Sequence, residues 1–260
     1  MANLRALKAI SKVPIHVGPF VQSTTGALVP FFNDSRALYS HPKEFRVFVE
    51  ELAKILKQYQ LRNGPKAKKF HSSKYGTFFP PGGRGRRGID LRGVDLIVGI
   101  PMAGIPMALA LSLKTGIPFA YLNKGRKKTL RRRIVEGEYK TGARAVLVDD
   151  VIGFGGTILK AIRDCKSDGV IVKHTMTLWN PWWPKNRPFV EKLKRRGVTY
   201  DALYTRREWI AYLLKRGLVS REMYEIHQAF LEDPTGWHKD VLMWKKFLAW
   251  KRRYARTGKM

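Results

Sequence analysis

Apolar residues recur at three- and four-residue spacing across residues 44–59, where Phe45, Phe48, Val49, Leu52, Ile55 and Leu56 share one face and Pro42 stands just ahead. That periodicity predicts an amphipathic helix. Over residues 62–92 the periodicity disappears. Pro65, the Pro80-Pro81 pair and many glycines alternate with Lys66, Lys68, Lys69, Arg84, Arg86 and Arg87, so this stretch reads as an exposed basic insertion or loop. From Val94 the pattern changes again. Residues 94–100, 118–122, 145–151 and 170–178 are short continuous apolar runs, rich in Val, Ile and aromatic residues, and helical spacing returns at 105–114 and 156–166. Strand and helix in alternation predict an α/β fold whose central sheet is mainly parallel. Continuous apolar runs, rather than alternating ones, predict strands buried on both faces. After Asn180 come Pro181-Trp182-Trp183-Pro184 and then helical patterns at 206–216 and 220–231, broken at Gly217. A tail at 244–259 mixes aromatic with basic residues.

Composition narrows this picture. At 260 residues the chain holds one large α/β domain with additions, or two small ones, and its 44% hydrophobic content is ordinary for a globular protein. No run approaches the roughly 18 apolar residues that span a bilayer. A soluble, cytoplasmic protein is therefore expected. The single cysteine, Cys165, excludes an internal disulfide and any multi-cysteine metal site, and its spacing from Ile158 and Ile162 predicts a small buried hydrophobe. The six histidines show no metal-ligand spacing. Residues 1–12 carry Arg5, Lys8 and Lys12 among Leu4, Leu7 and Ile10, a pattern shared by transit peptides and by an amphipathic first helix.

Charge adds a constraint on partners. Fifty Lys and Arg against twenty Asp and Glu give a net charge of +30. Such a field attracts polyanions, whether phosphorylated substrates or nucleic acid. Glycine interleaved with Arg84, Arg86 and Arg87 near Phe70, Tyr75, Phe78 and Phe79 suits a flexible nucleic-acid contact.

Candidate chemistry concentrates in Ala145-Val-Leu-Val-Asp149-Asp150-Val151-Ile152-Gly153-Phe154-Gly155-Gly156-Thr157. An apolar strand delivers two carboxylates at its carboxyl end, a glycine-rich turn follows, and a helix begins near Thr157. In open α/β sheets ligands bind at the carboxyl ends of strands. Backbone N–H groups of such a turn, with the helix amino terminus behind them, form a phosphate cradle. The paired carboxylates suit ribose hydroxyls or the neighbourhood of Mg²⁺.

This segment resembles the phosphoribosyl-diphosphate signature of type I phosphoribosyltransferases, and its surroundings resemble the orotate phosphoribosyltransferases. Three further stretches carry the resemblance in the family's order. They are residues 26–36 (Gly26-Ala-Leu-Val-Pro30-Phe-Phe-Asn-Asp34-Ser-Arg36), residues 95–106 around Ala103 and Gly104, and Asn123-Lys124-Gly-Arg126-Lys127-Lys128 followed by Ile134-Val135-Glu136-Gly137. The resemblance implies a Rossmann-like phosphoribosyltransferase fold. Its expected layout is a hood-like segment at 1–60, the basic insertion at 61–93, the core at 94–205 and a helical basic extension at 206–260. It also implies transfer of a phosphoribosyl group to a nucleobase, with orotate as the base, Mg²⁺ as cofactor and a homodimer as the assembly. On that basis Asp149, Asp150, Lys124 and Lys127 are the expected catalytic residues. Phosphoribosyl diphosphate would be held by Lys124, Arg126, Lys127, Ala103, Gly104 and the run Asp149, Asp150, Val151, Ile152, Gly153, Phe154, Gly155, Gly156 and Thr157, with no side chain assigned directly to a metal.

Several positions depart from the family. A family lysine falls on Thr24, the loop's histidine is absent from Lys128-Thr129-Leu130, the signature's two hydroxyl residues are Gly153 and Phe154, and the family arginine that meets the carboxylate of orotate would fall near Asn180, inside Leu178-Trp179-Asn180-Pro181. These departures leave a second functional class in view: a protein of this fold that binds nucleic acid or regulates, with little or no catalysis.

Overall fold

The computed structural model describes residues 3–21, 26–63, 93–123, 133–181 and 185–258. The insertion at 64–92, with Arg84, Arg86 and Arg87, and the segment 124–132, with Lys124, Arg126 and Lys127, lie outside the described residues, as does Thr24.

The chain opens with a short helix, α1 (Leu4–Ile10), and an antiparallel hairpin of β1 (Ile15–Val21) and β2 (Leu28–Asn33). A 3₁₀ turn over Ser35–Ser40 leads into α2 (Pro42–Asn63). Then β3 (Leu96–Gly99), α3 (Gly104–Thr115), β4 (Phe119–Leu122), β5 (Val135–Glu136), β6 (Arg144–Val151), α4 (Gly156–Ser167), β7 (Ile171–Asn180), α5 (Arg187–Arg195) and β8 (Thr199–Thr205) build the core. Three helices close the chain: α6 (Arg206–Lys215), α7 (Arg221–Glu232) and α8 (Val241–Thr257).

The sheet runs β5-β4-β3-β6-β7-β8, parallel throughout except for the two-residue β5 at its edge. Helices cover both faces, which is why the strands read as unbroken apolar runs. Successive residues of β6 serve opposite cores. Val146 and Val148 join the cluster with α1, α2, α3, the hairpin and the C-terminal helices, while Ala145 and Leu147 join the one with α4 and α5. Cys165 is fully buried in the second cluster, where burial pushes its thiol up to about 12. It is the inert small hydrophobe that its spacing predicts.

The first helix belongs to the fold. Asn3 caps it through a 3.0 Å bond from the Ala6 N–H, Arg5 pairs with both Glu50 and Glu51 of α2, and Ala6, Leu7, Ala9 and Ile10 are buried. Residues 3–10 thus pack as a native amphipathic helix.

Strand order fixes where a ligand sits. From β3 the chain moves outward to β4, whereas from β6 it moves the other way, to β7 and β8. The connections leaving β3 and β6 therefore diverge onto opposite faces and leave a crevice between their carboxyl ends.

Candidate active site

That crevice opens into a cavity of about 820 Å³. Its walls include the hairpin end and 3₁₀ turn (Phe32 to Arg36), the loop after β3 (Ile100 to Ala103), Asn123, and Asp149, Asp150, Gly153, Gly156 and Thr157. Trp179 at the end of β7, Leu122, Val151, and Lys160, Ala161 and Asp164 on α4 complete the lining.

Each wall is held by identifiable bonds. Asp149, largely buried, accepts the Asp150 N–H through Oδ1 at 2.9 Å, which sets the turn of the backbone as β6 ends. Asp150 Oδ2 accepts from the buried Ser35 hydroxyl at 2.8 Å. That bond ties the hairpin side of the cleft to the carboxylate pair. Asp34 holds Arg36 by a two-pronged pair of 2.8 and 2.9 Å and caps the 3₁₀ turn. The bond from Arg36 holds the Asp34 carboxyl below the usual range, and the reciprocal contact raises Arg36. The Tyr39 hydroxyl donates to the Ala103 carbonyl, and burial, reinforced by Asp150 and Asp149, keeps that phenol neutral well above its ordinary range.

The loop after β3 carries a cis peptide between Pro101 and Met102 and ends at Gly104, the first residue of α3. A Cβ on Gly104 would lie 2.1 Å from the Val148 carbonyl oxygen, so only glycine lets α3 start this close to β6.

Across the crevice, Gly155 takes φ +89° and packs under the Phe189 ring, where a Cβ would fall 2.2 Å from the ring edge. Gly155 caps α4 without a side-chain bond, and the first turn holds no acidic residue. The N–H groups of that turn thus face the cleft with the positive end of the helix dipole and no internal competitor. A phosphate is the complementary ligand. The preceding turn is anchored from the other side. Asn180 and Asn186 exchange amide bonds of 3.2 and 2.8 Å, and Asn186 also donates to the Gly153 carbonyl at 3.4 Å.

The structure thus brings together Asp149, Asp150, Val151, Gly153, Gly156, Thr157 and Ala103 around one cavity. Gly104 and Gly155 sit just behind it as close-approach positions. Ile152 is buried in the second core, and Phe154 is 55% exposed. Lys124, Arg126 and Lys127 fall outside the described residues, but Asn123, immediately before them, lines the cleft. Sequence reasoning left Ser35, Arg36, Tyr39, Lys160, Trp179 and Asn186 out of the site. Ser35 and Arg36 lay within the quoted stretch 26–36, so their signal was present. The roles of Tyr39, Trp179 and Asn186 depend on contacts that no local pattern encodes.

Comparison with known proteins agrees with this geometry. Residues 90–198 match the phosphoribosyl transferase domain. Orotate phosphoribosyltransferase of Lactobacillus johnsonii is 28% identical over 144 residues, 55% of this chain and 66% of that protein, just under two thirds of its length. The Jannaschia sp. orotate phosphoribosyltransferase is 30% identical over 155 residues, 59% of this chain and 67% of that one. The UMP synthase structure from Leishmania donovani superposes with a TM-score of 0.66 at 24% identity, covering 89% of this chain and 42% of that one, a likeness of fold. Fold, glycine-rich turn, carboxylate pair and these matches place the chain in the type I phosphoribosyltransferase family.

Proposed function

We propose that the chain transfers the phosphoribosyl group of 5-phosphoribosyl 1-diphosphate to orotate, giving orotidine 5′-phosphate and pyrophosphate. In that reaction the bond from the anomeric carbon to the diphosphate oxygen breaks and a bond from that carbon to a ring nitrogen forms. Pyrophosphate leaves with the bonding electrons, and the nitrogen's proton goes to solvent. The observation that carries this reading is the convergence of the Asp149-Asp150 pair, the uncapped start of α4 and the 100–104 loop on one cavity at the sheet's switch point. The relatives from Lactobacillus johnsonii and Jannaschia sp. are orotate phosphoribosyltransferases by name.

The parts divide the work by charge. The amides of 153–157 would hold the 5′-phosphate. Asp149 and Asp150 would hold the ribose hydroxyls, with Ser35 keeping Asp150 in place. Lys124, Arg126 and Lys127 would meet charge developing on the departing diphosphate. Ala103 and Gly104 would line the diphosphate side.

Mg²⁺ fits this set as a companion of the substrate. The Asp149 and Asp150 carboxylates border the cleft, with Asp34 and Asp164 on its walls held by Arg36 and Lys160, and among the described residues no group of three ligating side chains encloses a metal. Mg²⁺ is commonly held by one or two carboxylates together with substrate phosphates and waters. When bound, the ion supplies positive charge to the diphosphate. Incubating the protein with phosphoribosyl diphosphate, Mg²⁺ and orotate should yield orotidine 5′-phosphate on chromatography. Folded protein that forms no nucleotide from any common base would overturn the reading.

A second, subordinate reading has its own observation. Helix α5 and the residue after it expose Arg187, Lys192, Lys194, Arg195 and Arg196, none paired with a described acid. Such a face suits a nucleic-acid backbone. RNA binding that weakens steeply with salt and is reduced by K192E/R195E supports it, whereas salt-independent or absent binding removes it.

A further inference from the structure

A diphosphate is densely charged, yet the loop that would line it, Ile100-Pro101-Met102-Ala103-Gly104, contains no charged side chain. Leaving groups of that kind call for cations at contact distance. Among the described residues of the cleft wall, Arg36 and Lys160 are the cations. Lys160 stands on α4, on the side of the phosphate turn, paired with Asp164. Arg36 stands on the 3₁₀ turn that follows the hairpin.

That turn fixes which wall Arg36 serves. Residues three apart in a 3₁₀ helix eclipse one another, so Arg36 lies over Tyr39. Tyr39 donates its hydroxyl to the Ala103 carbonyl and packs edge-on against Phe45 of α2, with 5.4 Å between ring centres. Ser35, one residue before Arg36, donates to Asp150. The turn is thus fastened to the uncharged loop by Tyr39 and to the carboxylate pair by Ser35, with Arg36 between the two fastenings. Asp150 also contributes to raising Arg36, so the guanidinium is within electrostatic reach of that pair.

Asp34 presets the guanidinium. Its Oδ1 accepts from Nε at 2.8 Å and its Oδ2 from Nη2 at 2.9 Å. A guanidinium offers five N–H groups in one plane, so a carboxylate on the Nε edge leaves the Nη1 edge able to take a second anion. The Arg36 side chain is 60% exposed and lines the cavity.

We propose that Arg36 binds the diphosphate of the substrate and meets the charge that develops as pyrophosphate leaves. The inference rests on the phosphoribosyl-transfer reading above, and adds to Lys124, Arg126 and Lys127 a cation fixed by the fold. Because its turn is bonded to both walls, the cation is in place before the substrate arrives.

The test measures binding of pyrophosphate and of ribose 5-phosphate, each with Mg²⁺, by titration calorimetry in wild type, R36Q, R36K and K173Q. Lys173 is exposed near the amino end of β7, at the far end of the strand from the cleft, and its removal matches the charge lost in R36Q. R36Q should weaken pyrophosphate about tenfold or more, as the loss of a charged hydrogen-bonded contact requires, and ribose 5-phosphate by less than about twofold. R36K keeps the charge without the planar fork and should fall between wild type and R36Q. K173Q should bind both ligands as wild type does. Unchanged pyrophosphate affinity in R36Q, or equal weakening of both ligands, would overturn the proposal. So would the same loss in K173Q, which would reduce Arg36 to a share of the overall positive field. R36K keeps the proposal open to test if R36Q fails to fold. Neither ligand needs a base, so the two readings fail separately. Arg36-dependent pyrophosphate binding in protein that turns over no base would count against the transfer reading alone. Turnover of orotate with an unchanged KM for phosphoribosyl diphosphate in R36Q would count against Arg36 alone.

Discussion

At the scale of single residues, the cleft depends on positions that tolerate almost no change. Gly104→Ala places a methyl group against the Val148 carbonyl, and the obstructing atom is backbone that cannot swing away. Chemical denaturation should register a loss of about 2 to 3 kcal/mol; a loss below half a unit would mean that α3 has room to shift. Ser35→Ala removes a hydroxyl bond to the Asp150 carboxylate. A bond to a charged group contributes about 1.5 kcal/mol or more, so KM for phosphoribosyl diphosphate should rise roughly tenfold with little change in fold stability. Titration adds a further expectation. Burial lowers His174 to about 4 in the folded state, against an ordinary value near 6.5. Between those values the unfolded chain binds the extra proton, so stability falls as pH drops from about 6.5 towards 4. The loss from His174 alone is on the order of 3 kcal/mol, and buried His227 shifts in the same direction. Urea unfolding at pH 7 and pH 4.5 should expose this dependence, and His174→Gln should flatten it. An unchanged profile in that variant would assign the acid sensitivity elsewhere.

At the scale of elements, the sequence was most legible where burial is two-sided. The runs at 94–100, 118–122, 145–151 and 170–178 correspond to β3, β4, β6 and β7, with ends shifted by one or two residues. The helical spacings correspond to α3, α4, α6 and α7 to within a residue at either end, and that at 44–59 to α2, which runs four residues further, to Asn63. Less of the periphery was legible. In β8, Thr-Tyr-Asp-Ala-Leu-Tyr-Thr exposes its first residues at the sheet edge, so no apolar run announces it. In β1, Gly18 and Pro19 interrupt the pattern, and the register to β2 slips there. Helix α5 buries Leu193 and presents a basic exterior, which disguises it as a charged loop. Residues 244–257 of the tail belong to the packed helix α8, whose aromatic residues serve the core: Phe31 of β2 meets the rings of Phe247 and Trp250, and that of His227 from α7. Trp237 adds a 2.6 Å bond from Nε1 to the Leu28 carbonyl. The C-terminal helices therefore brace the hairpin that forms one wall of the cleft. Phe31→Ala should cost about 3 to 5 kcal/mol in thermal or chemical unfolding. A cost under 1 kcal/mol would mean that the hairpin stands without this support.

At the scale of the whole molecule, the signature of residues 145–157 carried more of the site than any other part of the sequence, because one local segment supplies strand end, carboxylates and phosphate turn together. What stayed illegible is assembled from distant segments, as in the link from Ser35 to Asp150 or from Tyr39 to Ala103. The net charge of +30 belongs to this scale as well. A long-range positive field draws in a multiply charged substrate and is screened by salt. The central claim is that this cleft performs phosphoribosyl transfer, and pyrophosphate release tests it most directly. With phosphoribosyl diphosphate and Mg²⁺, release should require orotate and should be abolished in folded D149N/D150N. Release that ignores the base, or that survives intact in the double variant, would contradict the account.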